Sequence, residues 1–82
     1  MFIKTNFIMW RVNVRCDQDA WKQSGGDFKT MTENYQVELI GSQKMPDGKR
    51  IMAYKMDDIS DVETFIEDCV KFPGFTADFE SL

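Results

Sequence analysis

The sequence predicts an α+β domain in which two helices cover one face of a four-stranded antiparallel sheet. Three observations lead to this prediction. Residues 8–16 alternate apolar and polar side chains, as a strand with one buried face does. Residues 62–70 repeat apolar side chains at helical spacing. Turn residues at Pro46-Asp47-Gly48 separate two further strand-like stretches, so the element order becomes strand, helix, strand, strand, helix, strand.

The length and composition limit the class of protein. The chain has 82 residues without a linker or repeat, and we expect one domain over residues 1–82. No apolar run approaches the ~18 residues of a membrane span, and no signal peptide is recognisable, which predicts a cytoplasmic protein without membrane contact. The absence of histidine removes the usual zinc sites and the Ser-His-Asp triad, and we predict no metal and no cofactor.

The first strand is predicted over residues 2–16, and its firm part begins near Phe7. Its two faces differ sharply in polarity. One face is apolar and carries Ile8, Trp10, Val12, Val14 and Cys16, whereas the other carries Met9, Arg11, Asn13 and Arg15. We therefore expect a half-buried strand with a core side and an open side. Cys16 and Cys69 are expected to be reduced and buried, because an intracellular chain seldom forms a disulfide.

Residues 17–34 allow two interpretations. Asp17 can cap a short helix that turns Ala20 and Trp21 inward, but Gly25-Gly26 should weaken or end this helix. The alternative is a strand over residues 28–32, because Phe28 and its neighbouring threonines suit a sheet equally well. A hairpin at Gly25-Gly26 would then give a β-meander with one helix, in the C-terminal half.

The middle of the chain predicts two strands joined by the turn at Pro46-Asp47-Gly48. The first, over residues 35–42, places Leu39 and Gly41 on one side and Ile40 and Ser42 on the other. The second, over residues 49–56, is apolar on both faces and should be covered on both sides. One of its faces carries Ile51 and Ala53, and the other carries Met52, Tyr54 and Met56.

The second helix is the clearest element. Ser60 is predicted to cap it together with Glu63, and Val62, Phe65, Ile66, Cys69 and Val70 form one apolar stripe. Phe72-Pro73-Gly74 should end the helix, since proline cannot continue it. Phe75, Ala77 and Phe79 then alternate with polar residues in a last strand. Short connections and right-handed crossovers favour the ferredoxin-like βαββαβ arrangement, in which the first strand is central.

One stretch resembles a known family. The amphipathic helix from Ser60 that ends in Phe72-Pro73-Gly74-Phe75, with the alternating strand to Phe79, resembles the C-terminal half of small dimeric α+β barrel proteins of the antibiotic-biosynthesis-monooxygenase type. The resemblance implies a homodimer whose open sheet faces pack together. It also implies a small cavity, which in some relatives binds or oxidises aromatic compounds without metal or flavin.

Candidate functional residues follow from the open face. We predict an interface with a second copy or another protein at Met9, Arg11, Met52, Tyr54 and Met56, in which methionines supply an adaptable apolar surface. We also predict that Arg11, Asn13, Arg15 and Tyr54 bind a small organic ligand, because guanidinium groups on a rigid strand suit carboxylates. Nucleic acid is not expected, since the net charge is −4. Residues 57–82 hold eight of the 14 acidic residues, which an alternative role as an acidic inhibitor would use.

Besides the acidic inhibitor, the sequence leaves two classes of function open. The first is a non-catalytic domain that self-associates through its open sheet face. The second is a cofactor-independent oxygenase-like or isomerase-like enzyme, which requires a pocket where Asn13, Arg15 and Tyr54 converge.

Overall fold

The computed structural model describes residues 9–82, so the part of the first strand predicted over residues 2–8 lies outside the described residues. The described chain forms four strands and two helices. In chain order they are β1 (Trp10–Cys16), α1 (Gln18–Thr32), β2 (Glu38–Lys44), β3 (Arg50–Met56), α2 (Ile59–Cys69) and β4 (Phe75–Ser81).

The strands form one antiparallel sheet in the order β2-β3-β1-β4, with both helices on one face. β1 therefore lies in the centre, as predicted, and β2 and β4 are the edge strands. This order and the two helices confirm the ferredoxin-like prediction. The β-meander with one helix is wrong, because a helix occupies the region in which that alternative needs a hairpin.

The core lies between the sheet and the helices. Val12 and Val14 of β1 are fully buried there, together with Phe28 of α1 and Phe65 of α2. Phe28 packs against four other rings, those of Trp21, Tyr54, Phe72 and Phe75. Cys16 and Cys69 are also buried in this core, and both have free thiols.

Helix α1 runs without a break through Gly25 and Gly26, which the sequence predicted to weaken or end it. Asp17 is the N-cap, as expected, and its carboxylate accepts a hydrogen bond of 2.7 Å from the Ala20 amide. Gly25 lies under the indole of Trp21, and a Cβ at this position would be 3.0 Å from a ring carbon. The glycine therefore lets the ring lie flat against the helix, while the buried Phe28 ring holds the following turn on the sheet.

Strand β2 contains an irregularity that the sequence pattern did not reveal. Its register with β3 shifts between Leu39, which lies opposite Tyr54, and Gly41, which lies opposite Ala53. An extra residue in one strand reverses the alternation of the side chains beyond it. Leu39 and Gly41 consequently lie on opposite faces, although strict alternation predicted that they share one.

The N-cap of helix α2 lies two residues earlier than predicted. Asp58, and not Ser60, is the N-cap, and its carboxylate accepts hydrogen bonds from the amides of Ser60 and Asp61. The helix ends before the Phe72-Pro73-Gly74 segment, as expected. Gly74 has a φ of 85°, and a Cβ there would be 2.7 Å from the Cβ of Ala20, so only glycine fits this turn.

Candidate functional site

The open face of the sheet carries the three residues of β1 that the sequence singled out. Arg11, Asn13 and Arg15 alternate with buried valines, so they point away from the helices. Opposite them on β4 lie Glu80, Asp78 and Thr76, in that order. Because directly opposed residues of antiparallel strands share a face, β1 contributes cations to this face and β4 contributes carboxylates.

Asn13 is the centre of a hydrogen-bond network on this face. Its side-chain amide donates to Asp78 and to Glu80, each at 3.1 Å, and its carbonyl accepts from Nε of Arg11 at 3.0 Å. Arg15 completes the network with an ion pair of 2.8 Å to Asp78. Hydrogen bonds from Arg15 and then from Asn13 lower the pKa of the Asp78 carboxyl. The charges of the open face are therefore largely paired within the chain itself.

Met52, Tyr54 and Met56 do not lie on the open face, and the prediction that placed them there with Arg11 is wrong. Val12 and Val14, which lie on the core face, are directly opposite Tyr54 and Met52. All three predicted residues are buried beneath the helices. The face of β3 that is open carries Ile51, Ala53 and Lys55 instead. An apolar pattern on both faces of a strand could not distinguish these two orientations.

The predicted ligand set is divided between the two faces of the sheet. Tyr54 is enclosed in the core, and burial raises its pKa to about 12. Asn13 and Arg15 lie on the opposite face, so these three side chains do not line a common pocket. Met9 is half-buried beside Val37, Lys55 and Asp57 at a cleft of about 280 Å³. Of the predicted interface residues, only Met9 and Arg11 are outside the core.

A half-open groove of about 530 Å³ lies on the helix side of the sheet. It lies between α1 and the β2-β3 hairpin, where the helical layer does not reach the edge strand. Trp21, Lys29, Thr32 and Glu33 contribute to it from α1 and its C-cap, and Tyr35 and Val37 from the connection that follows. From the hairpin come Leu39, Ser42, Arg50, Met52 and Tyr54.

Two cations lie against the indole of Trp21 in this groove. The guanidinium carbon of Arg50 is 4.7 Å from the ring centroid, and Nζ of Lys29 is 5.3 Å from it. Both distances are within the range of a cation–π interaction. Cations from α1 and from β3 therefore lie close together at one end of the groove, where both contact the indole.

A polar contact fixes the other end. The hydroxyl of Tyr35 donates to the carboxylate of Asp68 on α2, which also accepts a hydrogen bond of 3.0 Å from Lys71. Burial and the hydrogen bond to Asp68 raise the pKa of Tyr35 to about 12, and the bond from Tyr35 lowers the pKa of Asp68. This contact joins the connection after α1 to the second helix.

The sequence did not identify the groove. It turned Trp21 toward the core and gave no role to Lys29 or Arg50. Trp21 and Lys29 belong to α1 and Arg50 to β3, and no short motif contains all three. The only available signal was Gly25, whose missing side chain makes room for the Trp21 ring that forms one wall.

Two negative findings apply to residues 9–82. In this range, no cluster of three or more Cys, Asp or Glu side chains is arranged to hold a metal ion. Neither helix of the same range has the combination of length and apolar character that a membrane span requires.

Comparison with known proteins supports the fold. No model of a protein family and no curated protein matches the sequence. The structure is similar to the C-terminal domain of the MgtC protein from Mycobacterium tuberculosis, with a TM-score of 0.65 and 15% sequence identity. The match covers 99% of this chain and 94% of that domain. At this identity the likeness concerns the fold alone, and this chain is a small α+β domain that shares the architecture of the MgtC C-terminal domain.

Proposed function

We propose that this chain is a self-associating domain in which two copies pair through the outer edge of β4. The observation that carries the proposal is the regularity of this edge strand. All seven residues of β4 pair with β1 in an unbroken register, and in residues 9–82 no strand pairs with its outer side. A regular, uncovered edge strand is a template for pairing with another strand.

The hydrogen bonds between β4 and β1 indicate which backbone amides and carbonyls of β4 remain available to a second strand. The amide of Leu82 donates to the carbonyl of Met9 at 2.8 Å, so residue 82 points toward β1. Because successive residues of a strand point their amides to opposite sides, Ser81, Phe79 and Ala77 direct their amide and carbonyl groups away from β1. A second, antiparallel strand can form hydrogen bonds with all of these amides and carbonyls.

The two edges of the sheet differ in a way that favours β4. β2 contains the register shift at Leu39 and Gly41, and bulges of this kind protect an edge from pairing. β4 has no such shift, no proline and no lysine. Phe79 also lies on the helix side of the sheet but remains 43% exposed, so the helical layer leaves an apolar surface beside the free edge.

Antiparallel pairing about Ala77 suits the charges of β4. In this register Thr76 of one copy lies opposite Asp78 of the other, and Phe75 lies opposite Phe79. The acidic residues Asp78 and Glu80 then avoid one another as direct cross-strand neighbours, and such like-charge pairs would be destabilising. A two-fold axis through Ala77 makes the contact closed, so the expected product is a dimer and not a fibre.

The open face is a less suitable contact surface, although the sequence suggested it. Its apolar candidates Met52, Tyr54 and Met56 are buried on the other side of the sheet. The arginines that remain there already contact Asn13 and Asp78 within the chain. Packing two such faces together would remove paired charges from water with little apolar area to compensate.

The proposal is tested by the mass of the 9.6 kDa chain in solution. Sedimentation equilibrium at micromolar concentration should give twice this mass. Ala77→Pro removes an outward amide without breaking a bond to β1, and Phe79→Lys adds a charge at the same edge. Both variants should be monomeric and folded, as judged by circular dichroism.

Ile40→Lys is the matched control, since Ile40 is an exposed apolar residue on the other edge strand. This variant should remain a dimer. A monomeric parent chain would contradict the proposal. So would dissociation by Ile40→Lys together with an unchanged dimer in both β4 variants, because the contact would then lie at β2.

A further inference from the structure

Positive charge is concentrated at one end of the groove between α1 and the β2-β3 hairpin. Lys44 of β2 lies directly opposite Arg50 of β3. Arg50 is also opposite Cys16, whose side chain is in the core, so both cations are on the helix side of the sheet. Lys29 reaches the same end from α1 and shares the indole of Trp21 with Arg50. Two like charges directly opposed on one face destabilise a sheet unless an anion compensates them.

None of these three cations has a carboxylate partner in residues 9–82. Four other basic residues of this range do, each with a carboxylate oxygen within 4.0 Å. Glu33 is the only acidic residue that lines the groove, and it forms no ion pair with Lys29 or Arg50 in this range. The groove therefore presents more positive than negative charge.

Apolar and aromatic side chains form much of the rest of the groove. Val37, Leu39 and Met52 line it, and the rings of Trp21 and Tyr54 add flat surfaces. Its volume of about 530 Å³ lies within the range of roughly 300–1,000 Å³ that is typical of small-molecule sites. A mostly apolar concavity with a few charged groups at one end is the usual form of a site for an amphipathic small molecule.

We infer that this groove binds a small organic carboxylate with an apolar body. The carboxylate lies between Lys29 and Arg50, where charge-assisted hydrogen bonds are available, and the apolar body covers Leu39 and Met52. A single negative charge suits the site better than a polyphosphate, because Glu33 also lines the groove and repels additional negative charge. The inference is independent of the proposed dimer, because the groove lies at the β2 side of the sheet.

The test uses a matched pair of probes, 2-naphthoate and 2-naphthylmethanol, which share the apolar body and differ in charge. Each is titrated into the ¹⁵N-labelled chain, and amide shifts are followed by NMR. We expect saturable shifts for 2-naphthoate at residues 29–39 and 50–54. The neutral alcohol should bind at least about tenfold more weakly, the effect of losing one charge-assisted hydrogen bond.

Charge variants show whether the groove itself supplies the selectivity. Lys29→Gln and Arg50→Gln should each weaken binding of 2-naphthoate by about tenfold. The matched controls are Lys22→Gln, on the same helix outside the groove, and Lys49→Gln, next to Arg50 but paired with Asp47. These controls make the same change of net charge and should bind as the parent chain does.

Several outcomes would overturn the inference. Equal binding of the acid and the alcohol would mean that the groove recognises apolar surface alone. Equal weakening by Lys22→Gln and Lys29→Gln would mean that only net charge matters. Shifts that map to the open face, or no saturation by 2-naphthoate at millimolar concentration, would show that the site lies elsewhere or does not exist. A retained amide spectrum in each variant shows that the fold is intact.

Discussion

At the scale of single residues, the two adjacent glycines of α1 have different roles. Gly25 makes room for the Trp21 ring, whose carbons would be 3.0–3.3 Å from an added Cβ. Gly26 has nothing within 4 Å of the same position. Glycine in a helix interior is less favourable than alanine by about 1 kcal/mol. Only at Gly26 is this difference uncompensated by a packing requirement.

We therefore predict opposite effects for two neighbouring substitutions. Gly26→Ala should stabilise the chain by about 0.5–1 kcal/mol, because it lowers the entropy of the unfolded chain and meets no neighbour. Gly25→Ala should be less stable than Gly26→Ala by at least about 1 kcal/mol, because the indole of Trp21 must move away from the added Cβ. Thermal unfolding measures both changes, and the tryptophan emission should shift only in Gly25→Ala. Equal stabilities of the two variants would show that packing of the Trp21 ring does not require glycine at position 25.

Asp78 provides a second prediction at this scale. Its pKa is lowered in the folded chain by Arg15 and then by Asn13. A depressed pKa stabilises the fold above the unfolded pKa, and this contribution is lost as the pH falls through the folded pKa. The ion pair is about half exposed, so its contribution to the free energy of unfolding at neutral pH should be below about 1 kcal/mol.

A double-mutant cycle of Arg15→Gln and Asp78→Asn isolates this contribution. The coupling free energy should be favourable at pH 7 and should vanish as the pH falls below the ordinary range of an aspartate. Urea unfolding at a series of pH values provides the measurement. A coupling that persists unchanged in acid would mean that the pair does not depend on the Asp78 charge.

At the scale of elements, the N-terminus of α2 has two candidate N-caps, Asp58 and Ser60. The sequence favoured Ser60, but the structure assigns the capping hydrogen bonds to Asp58. We predict that Asp58→Ala lowers the free energy of unfolding by about 1 kcal/mol, as loss of an N-cap does. Ser60→Ala should change it by less than half as much. Chemical denaturation of the two variants compares them directly, and the reverse order would restore Ser60 as the cap.

The elements also show where sequence reasoning succeeded. β1 and α2 were predicted well because one period dominates each: Val12 and Val14 alternate with polar residues, and Val62 and Phe65 repeat at helical spacing. Their partners then followed from short connections. The ferredoxin-like arrangement was therefore accessible from periodicity and topology.

The remaining elements show what periodicity cannot resolve. In β3 both faces are apolar, and only the register with β1 shows that Tyr54 faces the core and Ala53 does not. In β2 the register shift after Leu39 reverses the faces on which the following side chains lie, and no local sequence pattern predicts this shift. The groove was missed for a related reason: it joins Trp21 with Arg50, two residues that are close only after folding.

At the scale of the whole molecule, the proposed self-association makes the stability of the fold depend on protein concentration. A partner that binds only the folded chain stabilises it by mass action. The net charge of −4 makes two copies repel, and the charged residues that β4 contributes to the proposed contact are all acidic. This repulsion is screened by salt, since the Debye length falls from about 10 Å at 0.1 M to about 3 Å at 1 M.

We predict that the unfolding temperature of the parent chain rises with protein concentration, and that this dependence becomes stronger when NaCl is added. Phe79→Lys should abolish the concentration dependence, whereas Ile40→Lys should retain it, because only Phe79 borders the β4 edge. Differential scanning calorimetry over about a hundredfold range of concentration measures the effect. An unfolding temperature that does not change with concentration would contradict pairing through β4, and a contact that weakens with salt would instead indicate association between surfaces of opposite charge.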